Sequence, residues 1–96
     1  MGLDYLVDKE LNADDLIKIF EIFIKNGYDL NKRNSNQHSL LYNFSVDSIK
    51  PNPKIIQFLI DNGAKMNHEL ETKDDFLKLA NRKALKKVIL DNIDSM

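Results

Sequence analysis

Apolar residues recur along this chain at helical rather than strand spacing. Between Asn12 and Gly27 they fall at Leu16, Ile17, Ile19, Phe20, Ile22, Phe23 and Ile24, and between Asn52 and Gly63 at Ile55, Ile56, Phe58, Leu59 and Ile60. Residues three and four apart share one face of a helix, so each run predicts an amphipathic helix with a wide apolar stripe. The flanking residues suit helix ends. Asn12 and Asn52 can accept hydrogen bonds from first-turn N–H groups, Pro53 fits the first helical position, and Asp14 and Asp15 complement the positive end of the helix dipole. Asn26-Gly27 and Asn62-Gly63 stop the helices, because glycine turns left-handed beyond the last turn without steric cost. Long helices are therefore expected near 13–26, 53–62 and 84–92, with shorter ones near 3–8, 39–45 and 74–80. Thr72 with Asp75 approximates a capping box before the last short one.

The two long segments nearly superimpose. Ile19-Phe20-Glu21-Ile22-Phe23-Ile24-Lys25-Asn26-Gly27-Tyr28-Asp29-Leu30-Asn31 matches Ile55-Ile56-Gln57-Phe58-Leu59-Ile60-Asp61-Asn62-Gly63-Ala64-Lys65-Met66-Asn67 at a constant offset of 36 residues. Self-similarity of this kind marks stacked units that bury their apolar faces on one another. The stripes then place Phe58, Leu59, Phe23 and Leu41 against neighbouring helix pairs.

These segments resemble the ankyrin repeat, whose second helix ends in a pattern like L-L-x-x-G-A-D-V-N. Here the pattern is Phe23-Ile24-Lys25-Asn26-Gly27-Tyr28-Asp29-Leu30-Asn31 and again Leu59 to Asn67. The family's T-P-L-H-x-A motif maps onto Ser39-Leu40-Leu41-Tyr42-Asn43-Phe44, which keeps the hydroxyl and loses the Pro and His. It maps again onto Asp75-Phe76-Leu77-Lys78-Leu79-Ala80, and its tail onto Leu3-Asp4-Tyr5-Leu6. The resemblance implies an all-α fold, an elongated ankyrin-like solenoid of helix pairs with two projecting hairpin turns. It implies one domain over 1–96, with repeats at about 1–31, 32–67 and 68–96. The consensus repeat is about 33 residues long. The excess here falls in two stretched links, Val7 to Asn12 and Val46 to Asn52, expected as surface loops.

Composition narrows the chemistry. Ninety-six residues allow one domain, which at this size buries only about 60–65% of its unfolded surface. There is no cysteine, so disulfides and thiolate metal sites are excluded. The net charge is −1, which argues against a dedicated nucleic-acid binder. No apolar run is long enough to span a bilayer, and Met1-Gly2-Leu3-Asp4-Tyr5 has no signal-peptide character. Leu6 stands where a myristoylation signal needs Ser or Thr, and a cytoplasmic protein is expected.

Catalytic groups are not evident. His38 and His68 lack metal-ligand spacing and are expected as exposed polar loop residues; no metal or cofactor site is assigned. Asp14-Asp15 and Asp74-Asp75 stand at helix starts, where negative charge is stabilising, rather than in a catalytic cleft. The three glycines are isolated, so no phosphate loop exists. The serines have no convincing His and carboxylate partners. The Phe residues 20, 23, 44, 58 and 76 sit at repeat-equivalent apolar positions and are expected as core, not as a base-stacking platform. From Lys78 to Lys87 there are five cations and no anion, Lys78, Arg82, Lys83, Lys86 and Lys87, against seven acidic and three basic residues in the first 29. This run is expected as a solvated capping face, with docking of an acidic partner as the functional alternative.

The resemblance implies a non-enzymatic module that binds a partner protein through hairpin tips and the short-helix face. Carried over by position, it implicates Arg33, Ser35, Asn36 and His38 in the first hairpin, with Lys32 beside it. It also implicates Val46 and Asp47 after the short helix, Asn26 and Asn62 before the glycines, and Glu69 and Glu71 in the second hairpin. Asn34 is expected to hold the first bend through its own backbone. An alternative is a dedicated inhibitor, an immunity protein or antitoxin that blocks one microbial toxin or enzyme. A basic nucleic-acid-binding helix ranks below both, and a hydrolase last.

Overall fold

The computed structural model describes residues 12–96, and every regular element among them is helical. Helix α1 spans Ala13–Lys25, α2 Leu40–Asn43, α3 Pro53–Asp61, α4 Lys73–Leu77 and α5 Lys83–Asn92, with 3-10 turns at Lys78–Asn81 and Ile93–Ser95. The helix expected near 3–8 and most of the link from Val7 lie outside the described residues. The short helices are shorter than expected. Ser39 is the cap of α2 rather than its first residue, and Phe44 to Asp47 already form a turn. The segment expected at 74–80 changes from α to 3-10 geometry at Lys78.

Local chemistry accounts for the helix ends. Asn12 accepts from the Asp15 N–H at 2.8 Å and Asn52 from the Lys54 N–H at 2.8 Å. Thr72 and Asp75 form a reciprocal capping box. At the far ends, Gly27 and Gly63 adopt φ of 86° and 89°. In both copies the glycine N–H returns to the third residue back (Ile24, Ile60) at 3.0 Å, and the next N–H (Tyr28, Ala64) to Phe23 or Leu59 at 2.9 Å. This double closure satisfies carbonyls that a helix end otherwise leaves unpaired.

Helix α3 packs against both α1 and α5, so the three long helices form an ordered row. Gln57 on α3 and Asn92 on α5 bond across that contact at 2.8 Å. Phe20, Leu41, Ile56, Leu59, Phe76, Leu85 and Ile89 are fully buried. Phe20 meets Phe44 edge-on at 5.3 Å and stacks on Phe58 at 6.0 Å. The expected core needs a correction. Leu41 and Leu59 are enclosed, but Phe23 and Phe58 are only partly buried, because Phe20 takes the central place on the α1 stripe. The described residues extend over 33 × 29 × 21 Å.

Candidate partner-binding surface

The segment between α1 and α2 turns back at residues 34–38. Asn34 N–H donates to the His38 carbonyl at 3.1 Å, and Gln37 N–H to the Asn34 carbonyl at 2.9 Å. The Asn34 side chain accepts from the Asn36 N–H at 3.0 Å and the His38 N–H at 2.9 Å, so it does hold the bend. Gln37 takes φ of 66°, a left-handed conformation uncommon for a residue with a side chain. Its carbonyl is fixed by the Asn67 amide at 2.7 Å.

The second segment is not a hairpin. Leu70 and Glu71 N–H both return to the Asn67 carbonyl, at 3.1 and 2.8 Å, which makes a single helical turn. This turn aims Glu71 inward. Its side chain is 0% exposed, so its expected place at an exposed tip is wrong. Four groups point at its carboxylate: Ser39 N–H at 2.8 Å, Ser39 hydroxyl at 2.7 Å, Asn67 N–H at 2.9 Å and His38 Nδ1 at 3.0 Å. A buried charge is tolerable only with such partners. A His38 ring carrying its proton on Nδ1 donates to this carboxylate. The His38 ring also stacks on Tyr42 with centroids 4.0 Å apart.

These contacts sort the residues implicated by sequence. Arg33, Ser35 and Asn36 are exposed on the first bend. Arg33 reaches Glu69 of the second turn at 3.7 Å, a pair open to solvent and so worth little energetically. His38 is not an exposed loop residue, since its side chain is 26% exposed and faces Glu71; His68 is exposed. Asp47 is exposed and Val46 half-buried, both in the turn that follows α2, where the Asp47 N–H donates to the Tyr42 carbonyl at 3.0 Å. Asn26 and Asn62 are exposed, and their side-chain amides donate back to Ile22 and Phe58 carbonyls at 2.7 and 2.9 Å. Asn92 makes the same bond to Val88 at 2.8 Å.

Tyr42 stands beside the Glu71 cluster, stacked on His38. Burial raises its phenol pKa above 10.0, and the carboxylates of Asp75, Asp47 and Glu71 add to the rise. On and before α5, Lys78, Arg82, Lys83 and Lys86 are exposed, and Lys87 pairs with Asp91 at 3.1 Å. Arg82 precedes α5 without a side-chain cap, and the first turn of α5 holds no acid. Helices α1 and α4 each carry two acids there, whereas the charges in the first turn of α5 are all cations, against the positive end of its dipole.

Among the described residues no three His, Asp or Glu side chains form a metal cluster, and no helix is long and apolar enough to cross a membrane. No family model, curated protein or solved structure matches the chain.

The Glu71 cluster was not read from the sequence, whereas Ile49, 83% exposed before α3, lies in a link expected as a surface loop. The sequence shows Glu71 only as an acidic residue four places beyond the repeated Asn and next to a helix cap, with no sign of its partners.

Proposed function

We propose that the chain is a non-enzymatic protein-binding module, a short ankyrin-like stack that engages one partner protein through the bend at 33–36 and the surface beside α2. The observation that carries most weight is the repeated backbone device. Helices α1 and α3 close identically at Gly27 and Gly63, and the Asn four residues beyond each, Asn31 and Asn67, bonds into a neighbouring segment. Asn31 donates to the Gly63 carbonyl at 3.0 Å and accepts from the Lys65 N–H at 2.8 Å, while Asn67 holds Gln37. Unit-to-unit bonding of this kind keeps a stack rigid. A rigid support lets an exposed bend bind with little ordering of the chain. Arg33, Ser35, Asn36 and Asp47 are polar or charged, so complementarity of charge and hydrogen bonding would govern the choice of partner.

Site-specific photo-crosslinking tests this. A photoreactive residue placed at Ser35 or Asn36 should capture the same single protein from the source cell, and one placed at Lys86 should not. Capture from Lys86 alone would move the interface to α5. No saturable capture from any of the three positions would sink the proposal.

A further inference from the structure

Two peptide links in this chain, Asn26-Gly27 and Asn62-Gly63, have the composition most prone to spontaneous deamidation. The chemistry needs only water. The glycine backbone nitrogen attacks the Asn side-chain carbon, so an N–Cγ bond forms and the Cγ–Nδ2 bond breaks. Ammonia leaves with the proton the amide gives up. Water then opens the succinimide ring to aspartate or isoaspartate. Glycine favours the step because it has no side chain to obstruct the attack.

All four residues are exposed, so exclusion of water does not protect them. Geometry does. Ring closure requires the glycine nitrogen to swing round beside the Asn Cβ. At ψ of 15° for Asn26 and 16° for Asn62 it lies near the Asn's own backbone nitrogen instead, far round from Cβ. The attacking N–H is engaged as well, by Ile24 in one copy and Ile60 in the other, each at 3.0 Å. The leaving nitrogen is engaged too, since Nδ2 donates to Ile22 at 2.7 Å and to Phe58 at 2.9 Å. Attack demands that all three be undone together, which means opening the helix end.

We infer that Asn26 and Asn62 are latent deamidation sites locked by the helix caps, and that Asn26 is unlocked first. The order follows from support. Among the described residues, α1 has one long helix beside it and α3 has two. The Gly63 carbonyl is also tied to Asn31 at 3.0 Å, and among the described residues the Gly27 carbonyl has no corresponding tie. Elements with fewer neighbours open at lower free energy. Once formed, isoaspartate lengthens the main chain by a methylene. It also puts a negative charge at the negative end of the dipole, so the cap does not reform and the opening becomes irreversible.

Peptide mapping by mass spectrometry measures both sites in one sample, at neutral pH, in the native protein and in urea. Dividing each native rate by the rate of the same site in urea removes the influence of Lys25 and Asp61. Where opening is fast and reversible, this ratio reports the open population. Both native rates should be at least about tenfold below their urea rates, with Asn26 the less protected. Asn12→Ala removes the α1 cap at a cost of about 1 kcal/mol, so it should speed Asn26 about fivefold and leave Asn62 unchanged. Native rates equal to the urea rates at either site, greater protection of Asn26 than of Asn62, or indifference of Asn26 to Asn12→Ala would each overturn the inference.

Discussion

Ser39 and Glu71 are joined through both oxygens of one carboxylate: the Ser39 N–H donates to Oε2 at 2.8 Å and its hydroxyl to Oε1 at 2.7 Å. The same hydroxyl oxygen accepts from the Tyr42 N–H at 3.0 Å. One serine therefore caps α2 and fastens it to the turn after α3. Glu71→Ala should leave the Ser39 and Asn67 N–H groups buried without acceptors, each costing about 1–3 kcal/mol. In a domain of this size that is a large fraction of the stability. Glu71→Gln, which keeps one acceptor oxygen, should lie between the two. Urea unfolding of all three proteins checks the order; an unfolding midpoint for Glu71→Ala equal to the native one would refute it.

Phe20 is enclosed where Phe58 is only partly buried. Phe20→Ala empties a fully enclosed site and should cost about 3–5 kcal/mol, whereas Phe58→Ala, partly open to solvent, should cost less. Thermal melts of the two variants decide the matter. A larger loss for Phe58→Ala would mean that the centre of the core lies on α3, not on α1.

His38 separates the two roles of the first bend. Arg33→Ala, Ser35→Ala and Asn36→Ala together should change stability by no more than about 0.5 kcal/mol each, because the side chains are exposed. His38→Ala should cost about 1–3 kcal/mol, because it takes a donor from a buried carboxylate. Chemical denaturation distinguishes them, and an unchanged midpoint for His38→Ala would show that the Glu71 contact is dispensable.

Tyr42 gives the molecule an alkaline limit. Its folded pKa is raised, so the folded state holds the phenol proton more tightly than the unfolded chain. The resulting stability is fully present below the unfolded value of about 10 and is lost as pH rises through the folded value. The unfolding midpoint should fall on going from neutral to strongly alkaline solution, and Tyr42→Phe should fall less. Identical pH dependence in both proteins would remove Tyr42 as the cause.

Helix α5 can be improved. Arg82 has the extended backbone of a cap residue, φ −86° and ψ 122°, but no side-chain cap. Arg82→Asp supplies an acceptor and replaces a cation by an anion at the positive end of the dipole, and should stabilise by about 1 kcal/mol. A lower melting temperature for this variant would show that the cation is needed for folding.

The positions of α1 and α3 were legible in the sequence because period, cap and stop coincide at Asn12, Asn52, Gly27 and Gly63. Each of these is local chemistry. What the sequence concealed is non-local. Nothing adjacent to Glu71 announces that Ser39 and His38, more than thirty residues earlier, will be its partners. Likewise the apolar stripe of α1 offers Phe20 and Phe23 alike, and only the arrival of Phe44 and Phe58 chooses between them. The bend at Asn34 was readable because Asn bonds its own backbone. The second turn was not, because its shape depends on where the Glu71 carboxylate is received.

The link between α2 and α3 shows where this architecture tolerates change. Asp47, Ile49 and Lys50 are open to solvent, and the caps of both flanking helices are supplied by other residues, Ser39 and Asn52. Lengthening a surface loop costs only about 0.6 kcal/mol per doubling. Descendant or engineered chains could therefore accept inserted sequence at Ile49, an epitope or even a small domain, while the helices keep their register. The fold carries a built-in port for new sequence, at a distance from the joints that hold it together.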